Sequence, residues 1–149
     1  MKTGSLFAVA LLALASMATP TLACSIGRLN ATELRLEQGR DVRNADLVFL
    51  ARVTGHGVSD EPDINIVFYQ PIERVMGSAQ MPDTLSIAVF YCLPLPPVGE
   101  TQVILMRSAD VSSAPDRTSP VLGYYDVSDI QHASLRRRVE WALQRANIE

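Results

Sequence analysis

Cys24 stands directly behind Thr21-Leu22-Ala23, a run of the kind a signal peptidase cuts, and the chain holds one other cysteine, Cys92. The preceding stretch has the parts of an export signal: Lys2 as the basic end, the apolar run from Leu6 to Ala15, then small residues. Residues 1–23 are therefore expected to be removed, leaving Cys24 as the mature N-terminus. The apolar run is about half of the roughly 20 residues a membrane helix requires, and no later stretch approaches that length. The expectation is an exported protein, periplasmic or extracellular, with no membrane span. Disulfides persist in such compartments, and two cysteines allow one intramolecular pairing, so a Cys24–Cys92 bond is the default. In the chain-entropy model a loop of that length contributes about 4 kcal/mol, a large share of a small domain's stability. The plainest role for Cys24 is thus a staple. A lipoprotein signal has leucine three residues before its cysteine; here Thr21 occupies that place, which disfavours a lipidated terminus as the alternative.

Residues 24–149 have the size of one domain with one modest core. The full chain carries 13 basic against 16 acidic residues, net −3, and loss of Lys2 makes the exported part more acidic. That balance argues against a general affinity for nucleic acid.

Period-2 patterning then places the strands. Ala45 to Val53 puts Leu47, Phe49, Ala51 and Val53 on one face and Val48 and Leu50 on the other, a strand whose first half is buried on both sides. Gly55-His56-Gly57 and the stretch Ser59 to Asp63 read as turn and loop. A second strand runs from Ile64 to about Val75 and closes at Met76-Gly77; Pro71 lacks a ladder donor and predicts an edge or a bulge there. Thr84 to Tyr91 is a third strand ending at Cys92. Leu93-Pro94-Leu95-Pro96-Pro97 forms a stiff extended loop leading to Gly99. Thr101 to Arg107 is a fourth strand, Ser108 to Pro120 a polar surface loop, and Val121 to Val127 a fifth strand.

Two helices frame the strands. Asn30 to Gln38 forms a short one that Gly39 can end. At the C-terminus, Ser128 and Gln131 have capping-box spacing, and Ile130, Leu135, Val139, Ala142, Leu143 and Ala146 make an apolar stripe. Trp141, at the edge of that stripe, is expected to anchor packing rather than to offer a binding platform. The fold class that follows is mainly β with α: a five-stranded antiparallel barrel, closed or partly open, with a C-terminal helix.

Nothing in the chain has the spacing of a catalytic motif. His56 and His132 are isolated; there is no metal-binding His-x-x-x-His or Cys-x-x-Cys, no Gly-x-Ser-x-Gly elbow and no phosphate-binding glycine loop. A cysteine nucleophile would need a free thiol, against the exported setting. Asp60, Glu61 and Asp63 are interrupted by Pro62 and do not match a calcium loop, so they read as a solvated tip. Arg136-Arg137-Arg138 reads first as a solvated face, with an acidic partner or lipid head groups as the alternative. The expectation is a protein without enzymatic activity and without a cofactor or metal of its own.

Several segments also occur in a familiar order: Cys24-Ser25, then Ala45 to Val53, then Phe68 to Val75 with Met76-Gly77, then Cys92, then Gly99-Glu100-Thr101-Gln102-Val103-Ile104-Leu105. From Cys24 to Arg107 the chain resembles the netrin-like domain of tissue inhibitors of metalloproteinases and of exported bacterial relatives. The resemblance implies an OB-type barrel with the N-terminal cysteine pinned by a disulfide to one beyond the middle strands, the places held by Cys24 and Cys92. In the animal inhibitors the amine and carbonyl of that cysteine chelate a metalloprotease's zinc, and the next side chain enters the specificity pocket. By that carry-over Cys24 is the ligand to the partner's zinc and Ser25 the pocket residue. Ile26 completes the partner-facing end, where the family has a second cysteine; Met76 likewise replaces the family's common lysine before Gly77. The chemistry is sound, because catalytic zinc keeps an open coordination position and a pinned terminus loses little entropy on docking.

Three functional expectations result. The leading one is a noncatalytic exported module that binds a protein or supports an envelope assembly. The alternatives are a metalloprotease inhibitor acting through Cys24 and an N-terminally lipidated envelope lipoprotein. Oligosaccharide or oligonucleotide binding on an OB-type barrel is disfavoured by the acidic balance and by an aromatic content of 6%.

Overall fold

The computed structural model describes residues 29–107 and 121–148. Cys24, Ser25, Ile26, the signal-like segment and the whole loop Ser108 to Pro120 lie outside the described residues. In chain order the elements are α1 (Ala31–Asn44), β1 (Leu47–Val58), β2 (Ile64–Gly77), β3 (Leu85–Phe90), β4 (Thr101–Met106), β5 (Val121–Asp126), a 3-10 turn (Val127–Asp129) and α2 (Ala133–Ala146). The strands form one antiparallel five-stranded sheet in the order β3-β2-β1-β4-β5. The sheet is mainly β structure flanked by two helices, and it is not closed: β3 and β5 are its two edges.

β1 is the centre of the fold because both of its faces are buried. Leu47, Val48, Phe49, Leu50 and Ala51 are all at most 3% exposed. One face joins Phe49, Ala51 and Val53 to Val67 and Tyr69 of β2, Ile87 and Val89 of β3 and Ile104 of β4, with Val121 and Tyr124 of β5 packed against them. Residues from all five strands meet in this cluster, so the sheet must curve around it, and Leu93 and Leu95 of the proline loop pack against it. The other face sets Val48, Leu50, Val103 and Leu105 against Leu135, Val139 and Ala142 of α2 and against Ile130. A strand whose side chains enter two cores has no polar face to expose, hence the continuous apolar run in β1.

The β1–β2 ladder is irregular, with register shifts between Val48 and Phe49, between Leu50 and Ala51, and between Val53 and Gly55, irregularities of the kind that bend a strand. The second lies opposite Pro71, which the ladder meets at a bulge and not at a sheet edge. β3 pairs with β2 only from Ile64 to Tyr69, so Pro71 lies beyond its reach and no ladder donor is missed on that side. Gly77 closes β2 at φ +95°, and a Cβ there would collide with the backbone carbonyl of Asp46, so the position is confined to glycine.

Three local expectations are corrected. α1 does not end at Gly39 but continues to Asn44; its start is held by a capping box in which the Asn30 side chain accepts from Thr32 N and Glu33 N while Glu33 Oε2 accepts from Asn30 N. Gly39 is instead a point of close approach, since a Cβ there would lie 3.1 Å from the His132 ring. Gly55-His56-Gly57 is not a turn: it extends β1 to Val58 and pairs with Ile66, Val67 and Phe68. The missing Cβ of Gly57 leaves room for the Phe68 ring, which a side chain would meet at 3.0 Å. Finally, Ser128 falls in the 3-10 turn and does not cap α2, whose N-cap is His132 without a side-chain cap bond.

A buried glutamine replaces that expected cap. Gln38 of α1 is fully buried; its Oε1 accepts from Gln131 N and His132 N, and its Nε2 donates to the Asp129 carbonyl. One α1 side chain thus satisfies three backbone groups in the segment that leads into α2.

Candidate functional site

Cys92 lies half-buried at the exit of β3, two residues after the strand's last residue, Phe90. Its turn is set by Leu93 N donating to the Phe90 carbonyl at 2.9 Å and by Tyr91 N donating to the Asp63 carbonyl at 2.9 Å. No cysteine is free among the described residues. Phe90 and Tyr91 beside it are 63% and 56% exposed, and Val58 and Val98 are also exposed. The loop that follows is tied to β1: His56 Nε2 lies 2.8 Å from the Pro96 carbonyl, Gly99 N donates to the Val53 carbonyl, and Val53 N donates to the Glu100 carbonyl. The end of β3, the proline loop and the far half of β1 are therefore joined by hydrogen bonds around Cys92, with exposed aromatic side chains next to it.

The acidic tip Ser59 to Asp63 joins β1 to β2 beside Tyr91. Ser59 Oγ accepts from Glu61 N at 3.1 Å, and Asp63 is left-handed at φ +66°, as a tight turn demands. Together with Val58 and Tyr91 it frames a shallow depression of about 370 Å³. Among the described residues no group of three His, Cys, Asp or Glu side chains could hold a metal ion.

Two buried polar systems were invisible in the sequence. The Tyr69 hydroxyl donates to Gln102 Oε1 at 2.7 Å, and Gln102 Nε2 donates to Asp126 Oδ1 at 2.6 Å, linking β2, β4 and β5. The Tyr125 hydroxyl donates to Asp41 Oδ2 at 2.6 Å, joining β5 to α1, and Asp41 is only 5% exposed. Burial pushes the Tyr69 hydroxyl far above its ordinary range, helped by the neighbouring Tyr124 and Asp126; burial raises Tyr124 as well. Tyr125 is raised by burial first and then by its bond to Asp41. All three phenols thus stay neutral at ordinary pH. The two bonded ones, Tyr69 and Tyr125, serve as hydrogen-bond donors.

On α2 the expected packing role of Trp141 is overturned: the residue is 56% exposed. It lies on the flank of the helix, away from the stripe of Leu135, Val139 and Ala142. The Arg145 guanidinium stacks on its ring, 3.8 Å from the centroid, and is itself held by Glu73 Oε1 at 2.8 Å and the Arg74 carbonyl at 2.6 Å. Within the expected basic cluster, Arg136 turns back to donate twice to the Ile130 carbonyl, while Arg137 and Arg138 project outward beside Ser134 and Trp141. The Trp141–Arg145 spacing of four residues was the available signal for this stack.

The chain matches no protein-family model, and no curated protein matches it significantly. No helix among the described residues is long and apolar enough to cross a membrane.

Proposed function

We propose that this protein is a noncatalytic exported binding module of the OB type, its mature N-terminus pinned by a Cys24–Cys92 disulfide so that Cys24, Ser25 and Ile26 face a protein partner. The observation that carries this reading is the setting of Cys92: half-buried, not a free thiol, in a hydrogen-bonded turn, and bordered by exposed Phe90 and Tyr91. A short N-terminal segment attached at Cys92 would lie beside an aromatic surface, and aromatic side chains are enriched in the buried centres of protein interfaces. The strand order β3-β2-β1-β4-β5 supports the OB type, a five-stranded barrel that is often only partly closed. The lack of recognisable catalytic spacing in the sequence supports a binding role.

The sharper reading is metalloprotease inhibition, in which the Cys24 amine and carbonyl chelate the partner's zinc and Ser25 enters its pocket. A disulfide to Cys92 would hold the terminus rigid, so docking would cost little entropy. The deciding experiment is the intact mass of the exported protein before and after reduction, with the N-terminus mapped, followed by a panel of zinc metalloproteases. The reading expects a chain beginning at unmodified Cys24 that gains about 2 Da on reduction of one S–S bond. A lipid-sized increment, or another N-terminus, would discard chelation and favour an anchored lipoprotein. For inhibition itself, one residue added before Cys24, or a bulky replacement of Ser25, abolishes the effect while the fold persists; unchanged inhibition would exclude chelation.

A further inference from the structure

We propose that the exposed flank of α2 formed by Ser134, Arg137, Arg138 and Trp141 is a second docking surface, one that binds an acidic segment of a partner protein. It shares no residue with the N-terminal site and does not depend on Cys24.

Three observations carry this. The first is charge: α2 has four arginines and one glutamate in a chain of net −3, so basic charge is gathered on a helix of an acidic protein. Arg136 is committed to the Ile130 carbonyl and Arg145 to Glu73, whereas Arg137 and Arg138 border a shallow depression of about 370 Å³ in whose lining there is no acidic residue. Two outward guanidiniums with planar donor forks fit carboxylates bidentately.

The second is Trp141, which a solvated helix face does not need. Arg145 covers one side of its ring, and Glu73 with the Arg74 carbonyl locks that arginine in turn, so the indole is oriented before any partner arrives. A pre-ordered aromatic loses little entropy on binding, and tryptophan beside arginine is the composition of interface hot spots.

The third is shape. The depression is open, and its only large apolar side chain is Trp141, so it is not the enclosed apolar pocket that small ligands occupy. It is equally unsuited to a lipid surface, because the apolar stripe of α2 is buried against the sheet and cannot enter an acyl layer. A partner side chain laid on the indole, with Asp or Glu reaching Arg137 and Arg138, satisfies charge and shape together.

The test uses the exported protein and an immobilised library of 12-residue peptides. Affinities of selected peptides are then read from the emission of Trp141, the only tryptophan in the chain. The expected result is selection of peptides rich in Asp and Glu that shift the Trp141 emission. Their binding should weaken as salt rises and fall by about tenfold or more in the R137E/R138E variant. Both arginines are exposed, so that variant folds, which its circular dichroism checks. Selected peptides without acidic enrichment, or bound equally by R137E/R138E, would overturn the proposal. So would an equal emission response to anionic phosphatidylglycerol vesicles or to inorganic phosphate, or an emission change that depends only on protein concentration, which would assign the face to a lipid surface, a simple anion or a second copy.

Discussion

Tyr125 and Asp41 illustrate how much a single hydrogen bond can decide in this protein. Asp41 is almost fully buried on a helix, and its partner is the Tyr125 hydroxyl, 2.6 Å away across the gap to β5. Tyr125→Phe leaves that carboxylate short of a donor and should cost about 1–3 kcal/mol, measured by urea unfolding. The same phenol makes stability pH-dependent. Its folded pKa lies above the unfolded value of about 10, so the stabilisation is complete below about pH 10 and is lost as pH rises further. Unfolding free energies taken from about pH 8 to about pH 11 should fall, and Tyr125→Phe should flatten part of that slope; an unchanged slope would remove Tyr125 from the account. Gly77 gives the sharpest steric case. Gly77→Ala places a methyl against the Asp46 carbonyl at a left-handed φ and should destabilise by about 1–3 kcal/mol or more in the same assay.

α1 is docked by polar bonds more than by apolar contact. Its buried residues are Gln38, Gly39 and Asp41, while Leu36 is 65% exposed. Gln38→Ala strands two N–H groups and one carbonyl before α2, and Asp41→Asn weakens the anchor to β5. Both changes should release α1 without dissolving the sheet. Hydrogen exchange is the measurement: α1 amides should lose protection while β1 and β4 amides keep theirs, and a uniform loss across all elements would refute this division. The polar docking also explains why the helix was read short. Apolar periodicity follows residues buried by hydrophobic contact, and α1 has almost none, so Gly39 looked like an end when it is the place where His132 packs. The far end of β1 was missed for a related reason: Gly55 and Gly57 are poor strand formers alone, and the Phe68 ring across the ladder supplies the packing that glycine lacks.

The two cores of the molecule share β1, and this should make unfolding cooperative. Loss of either face exposes the same strand, so α2 cannot leave the sheet without weakening the curved core behind it. Leu135→Ala, a truncation at a fully buried helix position, should cost about 2–5 kcal/mol. In the parent protein the Trp141 emission, which reports α2, and the hydrogen-exchange protection of β1 amides, which reports the sheet, should be lost at one denaturant concentration. Separate midpoints would show α2 to be an independent unit. The five strands and the C-terminal helix are legible through different local signals: β2 and β3 alternate in part, α2 carries an apolar stripe, β1 and β4 contain continuous apolar runs, and β5, half-buried throughout, is an apolar and aromatic segment after a polar loop. Trp141 was misjudged because its exposure depends on the crossing of α2 over β2, and the stack with Arg145 depends on Glu73, far away in the chain. The openness of the sheet is decided by whether β3 and β5 meet, which rests on bulges and loop paths that no periodicity encodes. Alternation and an acidic balance are properties the residues carry along the chain, so reading them required no structure, whereas the cap expected at Ser128 gave way to bonds to Gln38 of the other helix. The joining of Gln38 to His132, Tyr125 to Asp41 and Cys92 to its aromatic surroundings came from folding alone, because hydrogen bonds and contacts between distant residues exist only once the apolar faces have been buried.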